Sequence, residues 1–280
     1  MPTCRHSRAG GNPKRPKASL WKHWIPAFAG MTVVMAAHAA DYVPLPGGRF
    51  ESVLPQGPVP TMSAPVDVAP FAMRTTPVTV EEFAAFTRKH PEWQRGAAPE
   101  LFADKRYLIS WAAPAQPGPQ LAPHSPVTDV SWFAAKAFCE EEGGRLPTWI
   151  EWEYAAAADA TRRDARIDPA WRQQILSWYE KPTGALAAVG GPANAWGVRD
   201  MHGLVWEWVD DYNALFIAGD SRTQGDPDVL KFCGSGALNI IDRDSYAVLM
   251  RIALLSSLKA ADTTGTLGFR CVRPQERNPS

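Results

Sequence analysis

The chain has 280 residues and 29 basic against 29 acidic side chains, so its formal net charge is zero. Its length fits one large domain or two small ones, and its 12 Trp and 26 Pro argue for a loop-rich globular fold pinned by aromatics and against a helical bundle. The neutral balance hides an asymmetry: residues 1–39 carry Arg5, Arg8, Lys14, Arg15, Lys17 and Lys22 and no acid, leaving a body with six more acids than bases and no basic surface for nucleic acid.

The basic segment runs into a mostly apolar stretch, residues 24–40, ending A-A-H-A-A before Asp41. Ala37 and Ala39 satisfy the small-residue rule for signal cleavage, which is expected after Ala39. The run is short for a membrane span and is interrupted by Pro26, Gly30 and Thr32. Residues 1–39 are therefore read as a targeting segment, 40–276 as one domain and 277–280 as a tail, with a periplasmic or secreted destination. The peptide H-S-R-A-G-G-N-P followed by W-I-P-A-F-A-G-M-T resembles the translation of a bacterial intergenic repeat, so the true start is expected further along. Past this segment lie Cys139, Cys233 and Cys271, of which two are expected to pair in an oxidising compartment and one to be left over.

Residues 42–50 read as an opening strand and hairpin turn, and residues 66–73 as a second strand. Thr79 and Glu82 form a capping box for a helix that carries Val80, Phe83 and Phe86 on one face and stops before Pro91. Residues 106–111 are expected to be a strand, and 114–126 a surface loop. Ser131 caps a second helix over 132–142, ended by Gly143-Gly144. Thr148 and Glu151 cap a third, bearing Trp149, Trp152 and Tyr154, with Arg145 as an ion-pair partner for Glu151 or Glu153. A helix is expected around 169–176, a Gly-rich turn within 231–243, a short helix over 245–250 and a closing strand over 266–273.

Residues 196–208, W-G-V-R-D-M-H-G-L-V-W-E-W, organise the rest. Gly197 and Gly203 interrupt regular structure. Three tryptophans make an aromatic wall around Asp200 and Glu207, where a bare carboxylate is costly unless it is paired or bound to a cation. The alternative is that both carboxylates bond backbone amides.

Four blocks together resemble the formylglycine-generating enzyme family, also called sulfatase-modifying factor: P-V-T-V-E-E-F-A-A-F; P-V-T-D-V-S-W-F-A-A-K-A-F-C with G-G-R-L-P-T-W-I-E-W-E-Y-A-A; W-G-V-R-D-M-H-G-L-V-W-E-W-V-D-D; and L-G-F-R-C. Their order and spacing agree across residues 42–274. The resemblance implies an α+β fold of low regular secondary structure, related to C-type lectins. It implies a disulfide between Cys139 and Cys271. It also implies a calcium site with side chains of Asp200 and Glu207 and carbonyls of Gly203 and Val205, an oxygen set suited to a hard cation; Leu204 stands where the family usually has Asn.

The catalytic part of the resemblance fails. Active members oxidise a protein cysteine with oxygen, using two cysteines that bind copper(I). The corresponding stretch, residues 234–270, contains none, and the nearest thiol, Cys233, precedes the turn. The related sulfoxide synthases need a three-histidine iron site on an additional domain, and His90, His124 and His202 show no ligand spacing. The segment F-C-G-S-G-A-L onward resembles an exported subgroup encoded beside copper nitrite reductases. Three readings follow: an accessory or maturation factor for a periplasmic copper enzyme, an oxidoreductase with an altered site at Cys233, or a lectin-like binding module. Cys233 is the candidate reactive residue, with Met250 as a thioether partner for copper; the alternative is an inert buried thiol. Asp242, Arg243, Asp244 and Arg251 are candidates for a partner-binding cleft, against a solvated charged turn. A protein or peptide partner is expected.

Overall fold

In the computed structural model of the protein, residues 41–54, 65–179, 186–215 and 246–275 are described. Residues 1–39, expected to be a targeting segment, and Cys233, Asp242, Arg243 and Asp244 lie outside them. None of the described strands is longer than four residues, so the architecture is α+β with little regular structure, and side-chain contacts carry much of the load that ladders carry elsewhere.

Strands β1 (Tyr42–Leu45) and β2 (Gly48–Phe50) do not form a hairpin with each other, contrary to the expectation for 42–50. β1 pairs with β4 (Phe71–Arg74) and β2 with β3 (Val66–Val68), both antiparallel. The Pro46-Gly47 step is a kink along one strand path. Gly47 sits at φ +67°, and a Cβ there would lie 2.1 Å from the Val68 carbonyl oxygen, which only glycine tolerates. The single strand expected over 66–73 is likewise split, at Ala69-Pro70, because Pro70 has no N–H to give a ladder.

Helix α1 (Val80–Lys89) has the anticipated capping box: Glu82 N–H donates to Thr79 Oγ1, and Thr79 N–H donates to Glu82 Oε2 at 2.8 Å. Glu81 and Glu82 in its first turn and Arg88 and Lys89 in its last complement the helix dipole. Its inner face places Phe83 against Phe86, Trp111, Phe138 and Phe269. Truncating such a side chain costs about 3–5 kcal/mol. The strand expected over 106–111 is a series of turns, followed by β5 (Trp111–Ala113), which pairs with β6 (Gln116–Pro117). Asp104 causes this: its carboxylate accepts the Arg106 N–H at 2.9 Å and the Thr263 hydroxyl at 2.6 Å, a local turn that outcompetes extended pairing.

Helix α2 (Trp132–Glu141) starts at Ser131 and ends at Gly143, φ +72°. Helix α3 (Trp149–Ala156) starts at the Thr148–Glu151 capping box. Arg145 chooses Glu151, with two parallel bonds of 2.7 and 2.6 Å. Glu153 is instead sealed in the core, where burial pushes its pKa up. Its carboxylate accepts from the Ser52 hydroxyl at 2.6 Å, Val53 N–H at 2.9 Å and Trp149 Nε1–H at 2.9 Å.

Helix α4 (Pro169–Tyr179) and helix α5 (Tyr246–Ser256) extend the shorter helices expected there. The closing segment is broken into β8 (Leu267–Gly268) and β9 (Val272–Pro274). β9 completes the sheet β1-β4-β9, while β8 pairs in parallel with β7 (Trp206–Glu207) from the aromatic loop. Cys139 on α2 and Cys271 beside β9 are joined, Cα to Cα 5.4 Å, across 132 residues of sequence. Among the described residues no helix is long and apolar enough to cross a membrane.

Candidate functional site

The loop over 196–208 is held mainly by side chains. Asn194 opens it: its Oδ1 accepts the N–H groups of Trp196 (3.0 Å) and Val198 (3.1 Å), and its amide donates to the Ala155 carbonyl at 2.8 Å. Asp200 adopts φ +58°, a left-handed conformation that costs a non-glycine residue about 1 kcal/mol or more. Its carboxylate accepts Gly190 N–H at 2.7 Å and Gly191 N–H at 3.0 Å. Gly203 lies at φ +83°, and a Cβ there would sit 2.9 Å from Trp178 Cβ, so the indole-bearing chain of α4 rests directly on its backbone.

Two of the three tryptophans pin the loop. Trp196 stacks on Tyr154 with ring centroids 5.0 Å apart, and Trp208 is fully buried and donates to the Val130 carbonyl at 3.0 Å. The third, Trp206, is partly buried and packs against the same core.

Glu207 is fully buried. Arg270, from the G-F-R-C block, donates to both its carboxylate oxygens, with Nη2 2.7 Å from Oε1 and Nε 2.9 Å from Oε2. Trp152 Nε1–H completes the set at 2.8 Å from Oε2. The same guanidinium reaches the carbonyls of Arg199 (3.0 Å) and Asp200 (3.3 Å), tying the loop to the closing segment. Arg251, expected at a cleft, is 1% exposed. It donates to the Glu207 carbonyl and lies 3.6 Å over the Trp152 ring, a desolvated cation–π contact. It braces the loop from inside, through that carbonyl and that indole.

These placements test the calcium set. Calcium takes six to eight oxygen ligands. Here the Glu207 carboxylate is spent on Arg270 and Trp152, and the Asp200 carboxylate faces two backbone amides, as the alternative reading of that residue had it. The positive charge opposite Glu207 is a guanidinium. Asp200, Gly203, Val205 and Glu207 in this arrangement do not fit a calcium cage. Among the described residues no three His, Cys, Asp or Glu converge to hold a metal.

His202 shows no ligand spacing in the sequence, yet it lies at the centre of the loop's packing. Its imidazole meets Trp152 and Trp171 edge-on, both at 5.7 Å, and stacks on Trp178 at 6.3 Å. Nε2 lies 2.9 Å from the Ala156 carbonyl, an acceptor only, so Nε2 carries the proton. Burial pushes its pKa down to about 4, keeping the ring neutral. Asp129 is buried at φ +55° with Oδ1 unpartnered, and burial raises its pKa. No sequence signal marks it beyond an acid between the apolar residues Val127 and Val130.

A family model described as the sulfatase-modifying factor enzyme 1-like domain matches residues 30–275. The formylglycine-generating enzyme of Streptomyces coelicolor is 33% identical over 169 residues, covering 53% of this chain and 52% of that one. The inactive C-alpha-formylglycine-generating enzyme 2 of Bos taurus is 28% identical over 306 residues, covering 91% and 93%. The hercynine oxygenase of Mycolicibacterium thermoresistibile is 32% identical over 167 residues, covering 51% and 36%. The chain thus spans about half the length of the Streptomyces relative. With the aromatic loop and the G-F-R-C arginine joined as described and the family match running from residue 30 to residue 275, the chain belongs to the sulfatase-modifying factor, or formylglycine-generating enzyme, family.

Proposed function

We propose that the chain is an exported accessory or maturation factor that has kept the family's core and given up its oxidase chemistry, and that it serves a periplasmic copper enzyme by binding it. The observation that carries this reading is the cysteine-free stretch over 234–270. Soft thiolates select copper(I); the reaction of the active relatives uses two cysteines, and Cys233 alone supplies one thiolate. The basic and apolar leader supports export. The bovine relative whose name calls it inactive aligns along 91% of this chain. It supports the idea that the fold persists without the reaction. The buried Glu207 carboxylate is occupied by Arg270 and Trp152.

The test has two arms. Mature protein incubated with a thiol peptide, copper(I) and oxygen is expected to consume no oxygen and leave the peptide mass unchanged. Affinity capture from periplasm is expected to recover a copper enzyme. Oxygen uptake that disappears in Cys233→Ser would overturn the non-oxidase reading in favour of altered chemistry at that thiol. Failure to recover any copper enzyme, together with no copper(I) binding, would overturn the accessory role.

A further inference from the structure

Helix α4 carries Trp171 and Trp178 seven residues apart, two helical turns, so both indoles lie on one face. That face forms one wall of a cleft of about 550 Å³, a volume in the range of small-molecule sites. Asp168 at the N-terminal end of α4 and Asp159 and Asp200 from neighbouring loops line the same cleft, with Arg162 as the one guanidinium among its lining residues. Carboxylates therefore outnumber cations three to one, and the neutral His202 between the indoles adds no charge.

The kind of cation follows from how those carboxylates are occupied. Asp159 Oδ1 accepts the N–H groups of Thr161 and Arg162, at 2.8 and 2.6 Å, and Oδ2 accepts Arg162 Nε at 2.7 Å. Asp168 accepts Ala170 N–H at 2.8 Å and Arg162 Nη2 at 2.8 Å. Asp200 accepts the two glycine amides already described. Hydrogen bonds from Arg162 hold both Asp159 and Asp168 below the usual carboxylate range, so they stay ionised. A metal ion would need their lone pairs. An organic cation needs only their field, focused in a cleft, together with an aromatic face to lie on.

We propose that this cleft binds an organic cation, an ammonium or guanidinium on a short apolar stem, with the stem and charge against the Trp171 and Trp178 indoles and the Asp159, Asp168 and Asp200 carboxylates supplying the field. The site requires neither Cys233 nor a partner protein, and so stands or falls separately from the accessory role.

The experiment titrates the mature protein by calorimetry with n-butylammonium and n-propylguanidinium, the two arms separating lysine-like from arginine-like ligands, and with n-pentanol, methyl glucoside and valerate as neutral and anionic controls. At least one cation is expected to bind saturably, in the millimolar range, and to weaken as salt rises. The double variant D159N/D168N keeps the carbonyl acceptors for the local backbone, and is expected to lose affinity about fivefold or more with an unchanged circular dichroism spectrum. Trp178→Leu is expected to lose about two- to fivefold. Saturable binding of a neutral control as tight as either cation, full cation affinity in the folded D159N/D168N variant, or no saturable cation binding at all would overturn the proposal.

Discussion

Arg270 and Glu207 meet 63 residues apart in sequence with both side chains fully buried, Nη2 standing 2.7 Å from Oε1. Glu207 lies near the end of the signature loop and Arg270 in the closing L-G-F-R-C block, so this pair joins the last two of the four motifs that carry the family resemblance. Removing either partner leaves a charge stranded in the core. Glu207→Gln or Arg270→Met is expected to cost about 3–5 kcal/mol in urea unfolding. The double variant is expected to cost clearly less than the sum, since neither charge remains.

Chelation offers a second check on the loop. Because Arg270 already balances Glu207 and two amides hold Asp200, EDTA is expected to leave the urea midpoint unchanged. A fall in the midpoint that calcium alone restores would return calcium to these residues and mean that Arg270 yields to it.

The imidazole of His202 predicts a pH dependence. Its folded-state pKa of about 4 lies below the ordinary value of 6.5. As pH falls, the unfolded chain takes up the proton first, so stability is fully present above pH 6.5 and is lost between there and pH 4. The loss amounts to at most about 3 kcal/mol. The gap in urea midpoint between the native protein and His202→Leu should narrow across that window; a constant gap would show that the ring is protonated normally.

The bond between Cys139 and Cys271 closes a loop of 132 residues, and constraining so long a loop stabilises by about 2–5 kcal/mol. Non-reducing peptide mapping is expected to find the two cysteines in one linked fragment, and a reductant is expected to lower the thermal midpoint. Two separate free-thiol fragments from protein recovered under oxidising conditions would refute the pairing.

Features that depend on residues within about four positions of one another were legible directly. Thr79 with Glu82, Thr148 with Glu151, and Ser131 before its helix are local hydrogen-bond patterns, and each begins a helix where its spacing says it should. The strands were harder. Residues 42–50 and 66–73 carry strand-like residues, but their division into two sheets depends on which partner lies opposite and on the Gly47 approach to Val68. Residues 106–111 have apolar content enough for a strand, and the Asp104 turn overrides it.

The sequence by itself determined the family, the capped helices and the aromatic loop, because these are written in short motifs whose physics is local. It also determined that residues 234–270 contain no thiol. Tertiary structure decided what each charge is for. Asp200 and Glu207 look alike as acids in an aromatic run, yet one meets backbone amides and the other a guanidinium. Arg251 looks like a surface cation and is a buried brace on Trp152. His202 looks unremarkable and sits among three indoles. Those roles depend on which groups from other parts of the chain take the place of water around each polar side chain, and only the folded chain brings them there.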